Sequence, residues 1–230
     1  MSHLPIIVAL DVADLKQALD ICDQLPEVAI FKVGLELFTS AGAPVIKELH
    51  DRGKEIFLDL KLHDIPNTVK KTCGVIADYG VKFVTVHSLG GASMLAHAQE
   101  AVAGTNTQIL AVTVLTSHNQ TQISQDLAIS LKIPDLVVHL TNLAQRSGIT
   151  GVVCSPQEIA LVRAHFPHAT IVTPGIRPQW HSSPDDQQRT MTPAQALTAG
   201  ANYLVIGRPI VHSPDPHQAW QKICLELAKT

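Results

Sequence analysis

The feature that most constrains this chain is a series of eight short apolar segments, rich in Val and Ile, spread along its whole length. Most are too short to be helices. Their apolar residues are nearly continuous rather than alternating, which is typical of β-strands covered on both faces. The sequence therefore predicts eight buried strands, at residues 6–10, 29–35, 55–60, 82–87, 108–115, 151–154, 170–173 and 203–206.

Segments with helical periodicity separate the predicted strands. Residues 12–25 and 219–227 carry apolar side chains at helical spacing, which places one apolar stripe toward a core. Alternation of strands and helices is typical of a parallel sheet with right-handed crossovers. Eight such units in 230 residues predict an α/β fold, a single-domain (β/α)8 TIM barrel over residues 1–230. An open doubly wound sheet is the structural alternative.

Composition and charge exclude several classes of protein. The chain is 46% hydrophobic and 16% charged, which is too apolar for a disordered chain. A formal net charge of −3 gives no general basic surface for nucleic acid. The first apolar run stops at Asp11 and follows no basic segment, unlike a signal peptide or a membrane span. The four cysteines form no CxxC motif, as expected for buried thiols in a reducing compartment, so we expect a soluble cytoplasmic protein.

Two predicted connections are long for a compact domain. Residues 116–134 and 177–192 are polar, and they follow the fifth and the seventh predicted strand. Long connections in a compact domain are usually functional or disordered, and the loops that follow barrel strands build the active-site face. The sequence therefore predicts that both connections act as lids over a site.

Polar side chains stand at the ends of most predicted strands. At this end of a barrel, polar groups are typical of catalysis or ligand binding. Any one of them could be an ordinary surface charge. The aspartates and lysines of the first three strands, taken together, are harder to explain as surface charges. A buried charge without a partner costs several kcal/mol, so these groups are expected to pair. The set comprises Asp11, Lys32, Asp59, Lys61, Asp64, His87, Thr116, Arg177 and Arg208.

The third predicted strand carries the motif D-x-K-x-x-D. Residues two apart on a strand face the same side, so we expect Asp59 and Lys61 to share a face, with Asp64 just beyond the strand. An ammonium between two carboxylates stays protonated. Lys61 is then a poor Schiff-base nucleophile and a good fixed charge and proton donor. A structural salt-bridge cluster is the alternative interpretation.

Two glycine–arginine segments indicate a phosphate site. Thr-Pro-Gly-Ile-Arg-Pro at 173–178 and Ile-Gly-Arg-Pro at 206–209 follow the seventh and eighth predicted strands, where barrel enzymes commonly bind phosphate. Glycine lets the backbone approach a ligand, and arginine donors suit phosphate oxygens. Turns with solvated arginines are the alternative. The chain has no P-loop, no GxGxxG and no metal-ligand cluster, so we expect no organic cofactor and no metal.

Seven motifs, in order along essentially the whole chain, resemble the bacterial-type orotidine 5′-monophosphate decarboxylase family. The most specific is FLDLKLHDIPNT at 57–68. The others are IVALDV (7–12), FKVG (31–34), VTVLTS (112–117), VTPGIRP (172–178), RTMTPAQAL (189–197) and VIGRPI (205–210).

The resemblance implies a (β/α)8 homodimer that converts orotidine 5′-monophosphate to uridine 5′-monophosphate and CO2 without a cofactor, in the last step of pyrimidine nucleotide synthesis. It implies that Lys61 is the proton donor and that Asp59 lies beside the leaving CO2. Asp64 and Thr68 correspond to residues supplied by the partner subunit.

The resemblance also implies a set of substrate-binding residues. Asp11 and Lys32 match the ribose-contacting pair, and Thr116 matches the position that contacts the pyrimidine. The phosphate positions match Arg177, Gln187, Gly207 and Arg208. Residues 179–188 depart from the family pattern in composition and length, so Gln188 remains an alternative to Gln187.

The implied reaction explains why a charge array is needed. Loss of CO2 leaves a carbanion whose electrons lie in the ring plane, where the ring π-system cannot delocalise them. Without an organic electron sink, stabilisation must be electrostatic, and a fixed ammonium supplies it. Repulsion of the substrate carboxylate by Asp59 is a second hypothesis. Rival functions are a metal-assisted sugar-phosphate decarboxylase or epimerase, and a non-catalytic nucleotide-binding barrel.

Overall fold

Eight parallel strands form a closed barrel in the computed structural model, which describes residues 4–181 and 189–228. Each strand pairs with the next along the chain, and the first pairs with the last. The predicted TIM barrel is therefore confirmed, and the open sheet is excluded. The strands are β1 (Ile6–Leu10), β2 (Ile30–Gly34), β3 (Glu55–Leu62), β4 (Phe83–His87), β5 (Gln108–Val112), β6 (Gly151–Val153), β7 (Thr170–Thr173) and β8 (Tyr203–Ile206).

The strand boundaries differ from the prediction mainly in β3 and β5. β3 runs two residues beyond the predicted end, to Leu62. The fifth segment was predicted to end at residue 115, but β5 ends at Val112. Val114 lies beyond β5 but is still buried, because it packs in the hydrophobic core as well as bordering the cavity described below. The fifth strand was therefore predicted too long, because buried apolar residues continue beyond its end.

Helices alternate with the strands and form the outer layer of the barrel. They are α1 (Leu15–Gln24), α2 (Leu35–Ala41), α3 (Pro44–Asp51), α4 (Pro66–Asp78), α5 (Gly91–Ala101), α6 (Gln120–Gln125), α7 (Ile133–Arg146), α8 (Ile159–His165), α9 (Pro193–Thr198), α10 (Arg208–Val211) and α11 (Pro216–Leu227). Short 3-10 helices, Ser88–Gly90 and Pro156–Glu158, precede α5 and α8. None of the helices in the described ranges is long and apolar enough to cross a bilayer.

The predicted connection 116–134 contains a short helix that the sequence analysis missed. Asn119 caps α6 by accepting a hydrogen bond from the Gln122 amide, and the Gln122 side chain accepts one from the Asn119 amide. This capping box stabilises a helix of only six residues. Of the other long connection, 177–192, residues 182–188 lie outside the described residues. The lid roles of both connections stay predictions.

The core has two layers because the strands are covered on both faces. Outward-facing strand residues such as Ile6, Val8 and Leu10 pack against the helices. Inward-facing residues fill the barrel; they are Ile7, Ala9, Ile30, Phe57, Phe83, Leu110, Val172 and Val205. This arrangement explains why the strand segments are apolar without alternation.

The four cysteines are free thiols, three of them buried and Cys224 partly buried. Burial raises the pKa of the Cys73 thiol to about 12, and burial together with the charge of Glu158 raises that of Cys154 to about 12. Both thiols are therefore protonated and unreactive near neutral pH.

Candidate active site

A cavity of about 350 Å³ opens at the carboxyl ends of the barrel strands. Its size falls within the range of sites for small ligands. The wall contains eight of the residues that the sequence analysis singled out: Asp11, Lys32, Asp59, Lys61, Thr116, Arg177, Gly207 and Arg208. The lining does not include Asp64 or Thr68, and Gln187 lies outside the described residues, as does Gln188.

An alternating chain of charges forms one side of the cavity. The Lys32 ammonium donates to Asp11 Oδ1 at 2.8 Å and lies 3.8 Å from Asp59 Oδ2. The Lys61 ammonium donates to both carboxylate oxygens of Asp59, at 3.0 and 2.9 Å. The side chains of Lys32 and Asp59 are 9% and 13% exposed, so each depends on a partner of opposite charge. The array joins β2 and β3 to Asp11, the residue that directly follows β1.

Asp59 remains ionised despite its burial. Desolvation by itself raises the pKa of this carboxyl. The charges of Lys32 and Lys61, together with hydrogen bonds from Lys61 and Thr85, outweigh that effect and hold the pKa of Asp59 below its ordinary value. The cavity therefore contains a fixed carboxylate with an ammonium group on either side.

The backbone of β3 is irregular at Lys61. The pairing of β3 with β4 shifts between Leu58 and Leu62, and Lys61 has a φ of +48°. A non-glycine residue in this conformation costs about 1–3 kcal/mol, and such residues concentrate at functional sites. The side chains of Asp59 and Lys61 meet, as the sequence analysis expected, although the strand that carries them is irregular between Leu58 and Leu62.

Thr85 on β4 stabilises this irregular backbone, and the sequence analysis missed it. The Lys61 amide donates to Thr85 Oγ1 at 2.8 Å, and the Thr85 hydroxyl donates to Asp59 Oδ1 at 2.9 Å. Thr85 is fully buried. One hydroxyl thus holds both the strained backbone of Lys61 and the orientation of Asp59. From the sequence alone, Thr85 is not distinguished from any other β-branched residue of a strand.

Asp64 does not complete the array of its own chain. It is exposed, and its Oδ1 accepts a hydrogen bond from the Ile65 amide at 2.6 Å. It forms no ion pair with Lys61, whose ammonium pairs with Asp59. The expectation that Lys61 lies between two carboxylates is therefore wrong for a single chain, because the chain leaves the barrel after Leu62 and begins α4 at Pro66. Thr68, in the first turn of α4, is also exposed.

Two glycines allow close packing around the array. A Cβ atom on Gly34 would lie 2.9 Å from the Lys32 ammonium and 3.2 Å from Asp11 Oδ1. A Cβ atom on Gly207 would lie 3.3 Å from the Cβ of Ala9 and 3.5 Å from Asp11 Oδ2. Side chains at these positions would crowd the charged pair.

Arg177 and Arg208 belong to the cavity wall opposite β3, in the connections that follow β7 and β8. The Arg177 amide donates to the Met191 carbonyl at 2.8 Å, which joins the two ends of the connection after β7. Gly175, with a φ of +81°, makes the turn between β7 and Arg177. The two arginines give this wall the donor groups that suit a phosphate.

His87 lies near the array but does not line the cavity. Its Nδ1 accepts a hydrogen bond from the Leu89 amide, and its ring stacks on that of His63 at 5.8 Å. Burial, with smaller contributions from His63, Lys61 and His118, lowers the pKa of His87 to about 4, so the ring is neutral at neutral pH. No group of three metal-ligating side chains occurs within residues 4–181 and 189–228.

Comparisons with known proteins point to one family. The sequence model of the Orotidine 5′-phosphate decarboxylase / HUMPS family matches residues 4–223. A curated relative from Synechocystis sp., named orotidine 5′-phosphate decarboxylase, is 49% identical and covers 97% of each chain. A relative of the same name from Nitrosococcus oceani is 48% identical over 99% of each chain. The crystal structure of orotidine 5′-phosphate decarboxylase from Lactobacillus acidophilus superposes with a TM-score of 0.85 at 38% identity, covering 97% of this chain and 98% of the other.

Proposed function

This chain belongs to the orotidine 5′-phosphate decarboxylase / HUMPS family, and we propose that it is a carboxy-lyase that converts orotidine 5′-monophosphate to uridine 5′-monophosphate and CO2. This is the last step of pyrimidine nucleotide synthesis, and we propose that it needs no cofactor. The observation that carries the proposal is the alternating array of Asp11, Lys32, Asp59 and Lys61 in a cavity whose other wall holds two arginines.

Lys61 supplies the charge that the reaction needs. When the bond from C6 of the pyrimidine to the carboxylate breaks, its electron pair stays on C6 in the ring plane. An ammonium aimed at C6 stabilises that pair without reorganisation and then transfers a proton from Nζ to C6. The neutral amine that remains is reprotonated from solvent after the product leaves.

Asp59 fixes the ammonium in place. It accepts two hydrogen bonds from Lys61 and is itself fixed by Thr85. Repulsion between Asp59 and the substrate carboxylate is the second hypothesis for its role. The two ammonium groups within 4 Å of Asp59 reduce such repulsion, so the geometry favours orientation of Lys61.

The remaining wall residues match the parts of a nucleotide. Asp11 and Lys32 would bind the ribose hydroxyl groups, and Thr116 would contact the pyrimidine. Arg177 and Arg208 would bind the phosphate, with Gly207 allowing close approach. Gln187 is proposed for the phosphate by resemblance alone.

We propose that a second copy of the chain completes the site with Asp64 and Thr68. Exposed apolar side chains follow three neighbouring strands beside the cavity: Leu35 (57% exposed) after β2, Ile65 (67%) after β3 and Leu89 (40%) after β4. Asp64 directly precedes Ile65 in the chain, is exposed, and forms no ion pair with its own Lys61, whose ammonium pairs with Asp59. An apolar surface at the rim of a polar cavity is typical of a subunit contact.

Subunit mixing tests the shared site. Lys61→Ala and Asp64→Ala are each expected to be inactive alone. In a random mixture half the dimers are mixed, and each mixed dimer has one site with neither substitution, so activity returns to about a quarter of the native level. The measurement is turnover after exchange verified by differently tagged subunits. Verified exchange without recovered activity would mean that each subunit works alone.

Thr85 provides a test of the array's geometry. Thr85→Val keeps the side chain's shape but removes both hydrogen bonds, which leaves the Lys61 amide and one Asp59 oxygen without that partner. We expect kcat to fall by about 10- to 100-fold, because each unsatisfied buried group costs about 1–3 kcal/mol. Thr85→Ser retains the hydroxyl and should keep most of the activity. Equal kcat values for the two variants would contradict this role.

The experiment that tests the function itself is a spectrophotometric assay of orotidine 5′-monophosphate at the pyrimidine absorbance, with and without EDTA. The proposal predicts conversion to uridine 5′-monophosphate in both conditions. Conversion that EDTA abolishes would favour the metal-assisted decarboxylases or epimerases. Tight binding without conversion would favour a nucleotide-binding barrel.

A further inference from the structure

A buried ion pair joins three loops at the rim of the cavity. Arg189 Nη1 donates to Glu158 Oε1 at 2.7 Å, and Arg189 Nη2 donates to the Leu115 carbonyl at 2.9 Å. The two charged side chains are 11% and 8% exposed. Leu115 follows β5, Glu158 follows β6, and Arg189 lies in the connection that follows β7. A single guanidinium therefore links the loops of three consecutive strands.

Each end of this link continues into the cavity wall. On one side, Leu115 is followed by Thr116, and both line the cavity. On the other side, Met191 stands two residues after Arg189 and pairs with the chain that leaves β7. The Met191 amide donates to the Gly175 carbonyl at 3.3 Å, and the Met191 carbonyl accepts from the Arg177 amide at 2.8 Å. A displacement of Arg189 would therefore reach both walls.

Stability is a weak explanation for this ion pair. Burying two charges costs desolvation that their attraction only partly offsets, and an apolar pair of similar volume is often as stable. Within the described part of the chain, Arg189 Nε and Glu158 Oε2 are buried without a hydrogen-bond partner, so the network is not fully satisfied. What the pair does provide is a fixed distance between three loops at positions beyond the ends of β5, β6 and β7, where the pairing of those strands has ended.

We propose that Glu158 and Arg189 are positioning residues. They fix the position of the cavity wall at Thr116 relative to the cavity wall at Arg177. The inference rests on the proposed function. In that reaction the pyrimidine and the phosphate of one substrate are held at opposite ends of the cavity, so both ends must be placed correctly relative to Lys61. Binding energy from the phosphate then assists the chemistry at C6.

The test compares Arg189→Met with a matched arginine variant, Arg163→Met. Arg163 also ties loops together, but at the opposite end of the barrel. Its guanidinium donates to the carbonyls of Pro167, Ala169 and Gly200 and to the side chain of Asn202. Both variants should lower the denaturation midpoint. We expect only Arg189→Met to lower kcat/KM for orotidine 5′-monophosphate, by about 10- to 100-fold and mainly through kcat, as misplacement of reacting groups does.

Two further variants keep the test decisive if Arg189→Met does not fold. Glu158→Gln retains the shape and an acceptor for Arg189, and Arg189→Lys retains the charge; both should fold and show smaller losses of kcat in the same direction. Normal kcat in both, or an equal loss in Arg163→Met, would overturn the inference while leaving the function intact. Absence of turnover by the unmodified protein would overturn the proposed function, and this inference with it.

Discussion

Lys61→Ala is expected to abolish decarboxylation, lowering kcat by at least about 10,000-fold. Two effects combine in this loss. A single preorganised donor at a developing negative charge contributes about 100- to 1,000-fold, and a positioned general acid contributes a similar factor. No other ammonium among the described residues is placed to replace it, since Lys32 donates to Asp11 on the far side of Asp59.

Binding of uridine 5′-monophosphate should survive the same substitution. The phosphate and ribose contacts proposed for Arg208 and Asp11 are untouched, and Lys32 still offsets the charge of Asp59. Calorimetric titration of the variant with the product measures this directly. Lys82→Ala, which removes a lysine paired with Glu55 at the other end of the barrel, is the matched control and should decarboxylate normally. Near-normal turnover by Lys61→Ala would remove Lys61 from the mechanism.

Arg208→Ala is expected to lower kcat/KM by about 100-fold, which corresponds to the loss of charge-assisted hydrogen bonds to the phosphate. The phosphate is remote from the reacting carbon. If its binding energy is used in the transition state, the variant should lose kcat as well as affinity. Steady-state kinetics with the nucleotide separate the two effects.

A phosphate-free nucleoside supplies the control for Arg208. Orotidine should react poorly with the unmodified protein, and Arg208→Ala should change its rate little, because the contact being removed does not exist for that substrate. Arg52→Ala removes a surface arginine paired with Asp23 and Glu48, and it should leave the rates with both substrates unchanged. Equal rates for nucleoside and nucleotide would contradict the role proposed for the phosphate.

The barrel could be predicted from the sequence because burial on both faces is a local property of each segment. β1, β7 and β8 have the predicted bounds, and the other strands differ by a few residues at their ends. Errors arose where side chains are buried beyond the end of a strand, as Val114 is in the core beyond β5. The polar side chains at the strand ends also indicated the site, because closure of the barrel brings the ends of distant strands together.

The parts of the site that escaped prediction depend on contacts between strands or loops. Thr85 binds the backbone of β3 at an irregularity that no sequence periodicity indicates. The pairing of Glu158 with Arg189 joins residues 31 positions apart in the chain. Asp64 lies outside the cavity lining of its own chain because the chain leaves the barrel after the end of β3 at Leu62. These features can be recognised only in the three-dimensional structure, because nothing in the local sequence around each residue distinguishes it.

The central claim is that the Lys61 ammonium stabilises and protonates a carbanion at C6, and the exchange of one hydrogen atom tests it most directly. By microscopic reversibility, the unmodified protein should catalyse replacement of the C6 hydrogen of uridine 5′-monophosphate by deuterium in D2O, since this step runs the proposed protonation backward without CO2. The account predicts exchange by the unmodified protein and none above background by Lys61→Ala, measured by NMR with saturating nucleotide. Equal exchange by the two proteins would contradict it.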